Sequence, residues 1–154
     1  MASNRHLGRI VALQTLYEFE FRTQSDDPTV DAVEIMQRNM DRYESAIDDT
    51  EFVRQLVEGA VAHQDELDEK LQPIAPEWPL NQIARIDRAI LRLGLYELLH
   101  RSDVVPPKVA INEAVELAKA FGSDNSSKFI NGVLGTAFRT LVEGGSDKDA
   151  TTKP

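Results

Sequence analysis

The stretch that decides the fold reads Pro106-Pro-Lys-Val-Ala-Ile-Asn-Glu-Ala-Val-Glu-Leu-Ala-Lys-Ala-Phe-Gly122, then Ser-Asp-Asn-Ser-Ser127, then Lys128-Phe-Ile-Asn-Gly-Val-Leu-Gly-Thr-Ala-Phe-Arg-Thr-Leu141. Apolar residues recur at helical spacing on both sides of the polar segment, which predicts two helices joined by a short corner. The proline pair is typical of a helix start, and Gly122 is expected to form a left-handed C-cap. Candidate N-caps of the second helix are Ser123, Asp124 and Ser126.

The second of these helices contains Gly132 and Gly135, and each glycine weakens a helix by roughly 1 kcal/mol relative to alanine. Their expected use is to let another backbone come close. Asn131-Gly132 taken alone would be compatible with a hairpin turn. The helical apolar period on both sides of the dipeptide favours a continuous helix instead.

Outside this stretch, residues 4–21 and 80–101 are apolar over most of a helical circumference, which indicates two central helices. Asp27 is expected to cap a helix that begins at Pro28. A long helix is expected from residue 48 to residue 71, with a break before Asp65 left open. Together these patterns predict an all-α fold with about seven helices.

The same patterns predict how the chain is organised. We expect a single domain over residues 1–143, built from two helical-bundle subdomains that cover about 1–72 and about 78–143. Trp78 is expected to hold the proline-rich connector against the core. Residues 144–154 have no apolar period and are expected to form a disordered tail.

Composition excludes several classes of protein. The 154 residues include no cysteine, which excludes disulfides and thiol catalysis. No apolar run approaches the ~20 residues of a membrane span, so we expect a cytoplasmic protein without membrane contact. The net charge of −9 argues against unaided coating of nucleic acid. However, residues 26–70 hold 14 acidic and 4 basic residues, so the rest of the chain is nearly neutral and could present a modest cationic face.

Two basic clusters have alternative interpretations. One lies in the first turns of the first helix and comprises Arg5, His6 and Arg9. The other recurs at three- and four-residue spacing beside Asp87 and comprises Arg85, Arg88 and Arg92. Each cluster is either a solvated edge of a helix or a contact for phosphate or an acidic partner, and the pattern alone leaves both open.

No pattern for catalysis is present in the sequence. No hydrolase, P-loop or dinucleotide-binding signature occurs. The histidines lie on three separate predicted helices without metal-ligand spacing, and they are His6, His63 and His100. We therefore predict a protein that is not an enzyme and has no catalytic residues, no metal and no cofactor.

Several contiguous segments resemble the NusB family of bacterial transcription antitermination factors. They are Arg9-x-x-Ala12-Leu-Gln14-x-Leu16-Tyr17-Glu18, Trp78-x-Leu80-x-x-Ile83-x-x-Ile86-Asp87-Arg88-Ala-Ile-Leu-Arg-Leu93-x-Leu95-Tyr-Glu-Leu98, Val105-Pro106-x-Lys108-Val-Ala-Ile-Asn-Glu113 and Ser127-Lys128-Phe-Ile-Asn-Gly-Val-Leu134. The resemblance implies a NusB-like fold of two helical subdomains. It also implies an adaptor that binds the boxA element of ribosomal RNA transcripts together with NusE, a ribosomal protein. That pair acts with RNA polymerase and other Nus factors to suppress Rho-dependent termination, and members of the family occur as monomers or homodimers.

The resemblance also assigns residues. It implies single-stranded RNA contacts at Arg5, His6, Arg9, Asn125, Ser126, Lys128 and Phe129. It implies protein-partner contacts at Tyr17 and Asp87, to which we add the neighbouring Arg88. The first turns of the chain carry fewer arginines than is usual in the family, so we expect weak RNA binding without NusE. Asn125 replaces an acidic residue of many relatives, which should favour binding to phosphate.

Two other functions stay open at this point. One is a helical scaffold or dimer that serves ribosomal RNA biogenesis without binding RNA itself. The other is a subunit of an RNA cytosine methyltransferase, since NusB-like domains also precede such enzymes. The methyltransferase function would require a catalytic domain on a separate chain.

Overall fold

The computed structural model describes residues 2–43, 46–75 and 79–143, and its regular elements in these ranges are all helical. The α-helices are α1 (Ala2–Gln24), α2 (Ala32–Asp41), α3 (Thr50–Ala62), α4 (Gln64–Ile74), α5 (Arg85–His100), α6 (Pro107–Phe121) and α7 (Ser126–Ala137). A 3₁₀ turn over Leu80–Gln82 precedes α5, and a π-helical turn over Phe138–Glu143 follows α7. The prediction of an all-α fold with about seven helices is confirmed.

The chain divides into two compact units, Met1–His63 and Gln64–Pro154. The predicted boundary was later, between residues 72 and 78, because all of residues 48–71 were assigned to the first subdomain, although a break before Asp65 was left open. The helix expected there is broken at His63 into α3 and α4, and α4 packs against α5 and α7 of the second unit. The predictions for Trp78 and for the tail from residue 144 concern positions outside the described residues.

The first unit is built on α1, which packs against α2 and α3. The successive residues Val11, Ala12 and Leu13 of α1 are all at most 1% exposed, as expected for a helix that is apolar over most of its circumference. Met36 and Met40 of α2 are buried against this core. A buried hydrogen bond of 3.2 Å from the Asn39 amide to the Thr15 hydroxyl joins α2 to α1.

The start of α2 differs from the prediction that Asp27 caps it. The N-cap is Asp31, whose carboxylate accepts a hydrogen bond from the Val33 amide at 3.0 Å. Asp27 closes the preceding loop instead. Its Oδ1 accepts from the Thr29 amide and hydroxyl at 2.8 and 2.6 Å, and its Oδ2 accepts from Arg22 Nε at 2.8 Å. Because Arg22 at the end of α1 binds the Asp27 carboxylate, Asp27 does not cap α2.

We expect the first unit to lose stability as the pH falls from about 4 to about 2. Hydrogen bonds from the Thr29 hydroxyl and amide and then from Arg22 lower the pKa of Asp27 from 3.8 to about 2. A lowered pKa in the folded state adds stability above the unfolded pKa, and this is lost as the pH falls through the folded pKa. Asp27→Asn should therefore lower the urea midpoint at neutral pH and flatten its dependence on acid.

The matched control for this prediction is Asp26→Asn. Asp26 has a positive φ of 60°, which asparagine tolerates as well as aspartate does. Circular dichroism in a urea series at several pH values would measure both variants. Parallel pH curves for the wild type and Asp27→Asn would show that the Asp27 contacts do not stabilise the fold.

The second unit is built on α5, which packs against α4, α6 and α7. Its apolar residues are buried all round the helix, as predicted for a central helix: Ala89, Ile90, Leu91, Leu93, Leu95, Tyr96 and Leu98. Within the ranges that the structure describes, no helix has the length and hydropathy that crossing a membrane requires.

The arginines of α5 do not form a solvated edge, so that interpretation is wrong for Arg88 and Arg92. Arg92 makes a two-point ion pair with Asp68 of α4, with N–O distances of 2.8 and 2.9 Å. Arg88 is 6% exposed, and its Nη1 donates to the Leu80 carbonyl at 2.7 Å. Both side chains hold α5 to the segments that precede it.

The close helix approach in this unit occurs at Gly94 of α5, not at the glycines of α7. A Cβ at Gly94 would lie 2.7 Å from Leu134 Cδ1 and 3.3 Å from Ala114 Cβ. Among the residues that the structure describes, a Cβ at Gly132 would meet no atom within 4 Å, and one at Gly135 would meet only the end of the Arg139 side chain. The expectation that the α7 glycines admit another backbone is therefore wrong in this chain.

This contrast predicts opposite effects of one methyl group at two glycines. Gly94→Ala should destabilise the chain by about 1–3 kcal/mol, because the added methyl overpacks a closed contact. Gly132→Ala should stabilise it by roughly 1 kcal/mol, because alanine has the higher helix propensity and the space is open. Urea unfolding of both variants measures the difference. Equal effects of the two substitutions would contradict the packing described at Gly94.

Candidate nucleic-acid interface

The corner between α6 and α7 is shaped by Gly122 and Ser126. Gly122 has φ −94° and ψ −170°, so it is extended and does not form the predicted left-handed cap. A Cβ at this position would lie 2.5 Å from Cβ and Oγ of Ser126. The Ser126 hydroxyl accepts a hydrogen bond from the Ser123 amide at 2.8 Å. Glycine is therefore needed here for a close approach to Ser126, and not for its access to positive φ.

The burial of Ser126 changes its predicted role. Ser126 is 2% exposed, and its hydroxyl is engaged within the corner. We had expected it to contact RNA directly. The geometry instead indicates that Ser126 fixes the conformation of the turn that presents Asn125, Lys128 and Phe129.

Those neighbours present three kinds of polar or aromatic group. Asn125 occupies the N-cap position of α7 without a side-chain capping hydrogen bond, and it is exposed. Lys128 is exposed and Phe129 is half-buried. The first amides of a helix have no intrahelical acceptor, so the start of α7 also favours an anion. An amide, an ammonium, an aromatic ring and a helix N-terminus thus lie within one turn.

A cavity of about 300 Å³ opens beside this corner. One wall comes from the 3₁₀ turn and the start of α5, and the other from the corner and the start of α7. The lining residues are Gln82, Ile83, Ala84, Asp87, Ser123, Asn125, Ser126 and Phe129. We refer to this cavity as the Asp87 pocket.

Asp87 stands out among the lining residues. It is 9% exposed and lies in the first turn of α5. Among the residues that the structure describes, its Oδ1 has no hydrogen-bond partner. The resemblance assigned Asp87 to a protein partner and the corner to RNA. The structure brings Asp87, Asn125, Ser126 and Phe129 to one pocket, and the partner contact of Asp87 stays a prediction.

The other predicted group lies in the first unit, where two arginines share one aromatic ring. The guanidinium carbon of Arg5 lies 4.7 Å from the centroid of Phe52, and that of Arg9 lies 5.1 Å from it. Arg9 is 3% exposed, so the structure does not support its predicted direct contact with RNA. Arg5 and His6 are half-buried and keep part of their surface accessible.

The middle of α1 carries an exposed aromatic surface. Tyr17 is 37% exposed and Phe21 is 50% exposed. Beside them, Glu18 pairs with Arg22 and Arg38. Burial raises the pKa of Glu18, but its hydrogen bonds and charge interactions with Arg38 and Arg22 outweigh burial and lower that pKa overall. This network holds α2 against α1 next to Tyr17.

Two residues of these sites were missed in the sequence. Phe52 was predicted only as part of the helix expected from residue 48 to residue 71, and Gln82 was not singled out. The position of Phe52 at the start of α3 gives no sign of the arginines that reach it from α1. Gln82 lies 43 residues before Asn125, and only the packing of α5 against α7 brings the two to one pocket.

Comparison with known proteins gives consistent matches along the chain. The family model described as "NusB family" matches residues 6–139. A transcription antitermination protein NusB of Chloroflexus aggregans is 45% identical over 145 residues, which is 93% of each chain. A structure of T. maritima NusB has a TM-score of 0.74 at 31% identity and covers 86% of this chain and 88% of that one.

One further match is a crystal structure of antitermination factors NusB and NusE in complex with double-stranded RNA. A chain of that complex has a TM-score of 0.76 at 25% identity. The match covers 91% of this chain and 99% of that one.

Proposed function

The chain belongs to the NusB family, and from that membership we propose that it is a transcription antitermination adaptor. It binds boxA-type single-stranded RNA of ribosomal RNA transcripts together with NusE. The pair then acts within an RNA polymerase complex with other Nus factors to suppress premature Rho-dependent termination. This function requires no catalytic group and no cofactor, and its place is the cytoplasm.

The observation that carries the proposal is the surface at the start of α7. Single-stranded RNA is bound by cations at phosphates, by amides at base edges and by aromatic faces on which bases stack. Lys128, Asn125 and Phe129 supply one group of each kind within five residues, and Ser126 fixes the turn that presents them. Arg5 and His6 of the first unit are the further RNA contacts that we propose.

For NusE we propose the exposed aromatic surface of α1. Tyr17 was expected there from the sequence, and Phe21 extends the same surface by one helical turn. Aromatic side chains are enriched at protein interfaces because each removes a large area from water. Arg88 is not part of this proposal, since its burial and its bond to the Leu80 carbonyl give it a role in holding α5.

The experiment that tests the function is a calorimetric titration of the full chain with a boxA-like RNA, with and without NusE. The two ligands are expected to raise each other's affinity by about fivefold to 150-fold, the usual range of coupling between two binding sites. Independent binding of RNA and NusE would contradict the adaptor function. Binding of NusE without any RNA binding would favour the scaffold function instead.

A further inference from the structure

We propose that His63, Glu66 and His100 form a binding site for one divalent transition-metal cation, with zinc as the expected ion. Each of the three side chains offers one ligand atom, and these atoms all lie within 4.8 Å of one another. The site lies at the start of α4 and the end of α5. It shares no residue with the surfaces that we assign to RNA and to NusE, so it goes beyond the adaptor function.

The packing of α4 against α5 brings Glu66 and His100 together. Glu66 is in the first turn of α4, and its Oε1 lies 3.0 Å from Nε2 of His100, which is 34 residues away in sequence. The two-point ion pair of Arg92 with Asp68 joins the same two helices. A contact between such distant residues was not visible in the sequence, from which we predicted no metal.

His63 supplies the third ligand from the position that ends α3 and directly precedes α4. Its Nδ1 lies 2.8 Å from the carbonyl oxygen of Gly59. A carbonyl oxygen only accepts hydrogen bonds, so Nδ1 carries a proton and donates. The neutral ring then has its lone pair on Nε2, which is the atom that would bind the cation. A hydrogen bond from the other ring nitrogen to a backbone carbonyl is a usual way to orient a metal-binding histidine.

The ring of His100 is oriented by Tyr96, which lies one helical turn earlier on α5. The two rings stack with their centroids 5.4 Å apart and an angle of 26° between their planes. The side chains of His100 and Glu66 are 29% and 39% exposed, so a cation can reach them from solvent. Because stacking already restricts the imidazole, binding a cation costs less side-chain entropy.

The three side chains select the kind of cation. Two imidazoles and one carboxylate are a ligand set that zinc accepts in proteins, with a fourth position for water. Imidazole also suits copper and nickel, whereas magnesium and calcium prefer oxygen ligands. Two ligands about 2.0–2.1 Å from a tetrahedral ion are about 3.3 Å apart. That separation is close to the 3.0 Å between the ligand atoms of Glu66 and His100.

The competing explanation of this cluster is an ion pair between Glu66 and a protonated His100, without a metal. That pair needs only two of the three side chains. A cation would bind all three and would require both imidazoles to be neutral. The two explanations therefore predict different responses of the chain to zinc.

The test is a calorimetric titration of the full chain with zinc chloride, without a histidine tag and after treatment with EDTA. We expect one zinc ion to bind per chain. His63→Gln, Glu66→Gln and His100→Gln should each weaken binding by at least about tenfold, since even the residues that orient metal ligands contribute that much to affinity. Glu69→Gln is the matched control and should keep the wild-type affinity, because Glu69 is exposed on α4 and is not part of the cluster.

Thermal unfolding followed by circular dichroism gives a second measurement. Zinc at about one hundred times its Kd should raise the Tm of the wild type and of Glu69→Gln by about 5–10 °C. At the same zinc concentration, His100→Gln should show a much smaller rise. Without zinc, His100→Gln should unfold within about 2 °C of the wild type, because a largely exposed pair contributes little stability.

Three results would overturn the inference. Absence of zinc binding by the wild type would show that the cluster is an ion pair only. Equal zinc affinity of the wild type and His100→Gln would place the bound ion elsewhere on the chain. A rise in Tm with magnesium as large as that with zinc would indicate a general effect of cations on an acidic protein. The adaptor function stands in each case, since the titration with RNA and NusE tests it separately.

Discussion

Replacing Phe129 by alanine is expected to lower the affinity for a boxA-like single-stranded RNA by about fivefold to 150-fold, because stacking on an aromatic side chain contributes ~1–3 kcal/mol per base. Phe129 is half-buried and lines the Asp87 pocket, so part of its ring is accessible to a base. Fluorescence anisotropy in a salt series measures the effect. The loss should be nearly the same at every salt concentration, since stacking does not release counterions.

Two substitutions separate stacking from packing and from charge. Phe129→Leu keeps an apolar side chain against the core and should preserve the fold, yet it should bind RNA nearly as weakly as the alanine variant does. Lys128→Ala should reduce the slope of log affinity against log salt by about 0.7, the value for one phosphate of a single strand. Full RNA affinity of a folded Phe129→Leu would show that no base stacks on this ring.

Replacing Phe52 by alanine is expected to destabilise the chain by about 3–5 kcal/mol, the usual cost of removing a buried phenylalanine. Phe52 is 3% exposed, and its ring packs close to Gly8 of α1. A Cβ added at Gly8 would lie 3.4 Å from Cδ2 of Phe52. The guanidinium groups of Arg5 and Arg9 also lie over this ring in cation–π contacts. Urea unfolding followed by circular dichroism measures the loss.

Phe52→Leu distinguishes the apolar contribution from that of the arginines. Leucine retains most of the buried apolar volume but offers no π face. Each cation–π contact contributes about 0.5–1 kcal/mol at an exposed site and about 2 kcal/mol when desolvated. The leucine variant should therefore still be destabilised, and Arg9→Met combined with it should add little further loss. Wild-type stability of Phe52→Leu would show that the arginines gain nothing from the ring.

The helical architecture could be predicted because its signals are local. Residues 4–21 and 80–101 each carry apolar residues around most of a helix, and α1 and α5 are indeed the helices on which the two units are built. Element ends were less predictable. Asp27 and Asp31 are both acceptable caps, and the choice between them depends on Arg22, which reaches Asp27 from α1.

The candidate site could be predicted only where its residues are neighbours in sequence. The resemblance assigned Asn125, Lys128 and Phe129, and because they lie within five residues the start of one helix presents them together. The Asp87 pocket could not be predicted, because its walls come from segments about 40 residues apart. The burial of Arg9 was missed for the same reason, since the ring that faces it lies on α3.

The contact at Gly94 has a consequence for the entropy of ligand binding. A methyl of Leu134 on α7 fits against Gly94 of α5, with room for no additional carbon. These are the two helices whose first turns form opposite walls of the Asp87 pocket. This close contact opposes sliding of one helix along the other, so we expect the cavity to be largely formed before a ligand binds. A ligand that enters a preformed cavity orders little of the protein, so more of its contact energy is retained as affinity.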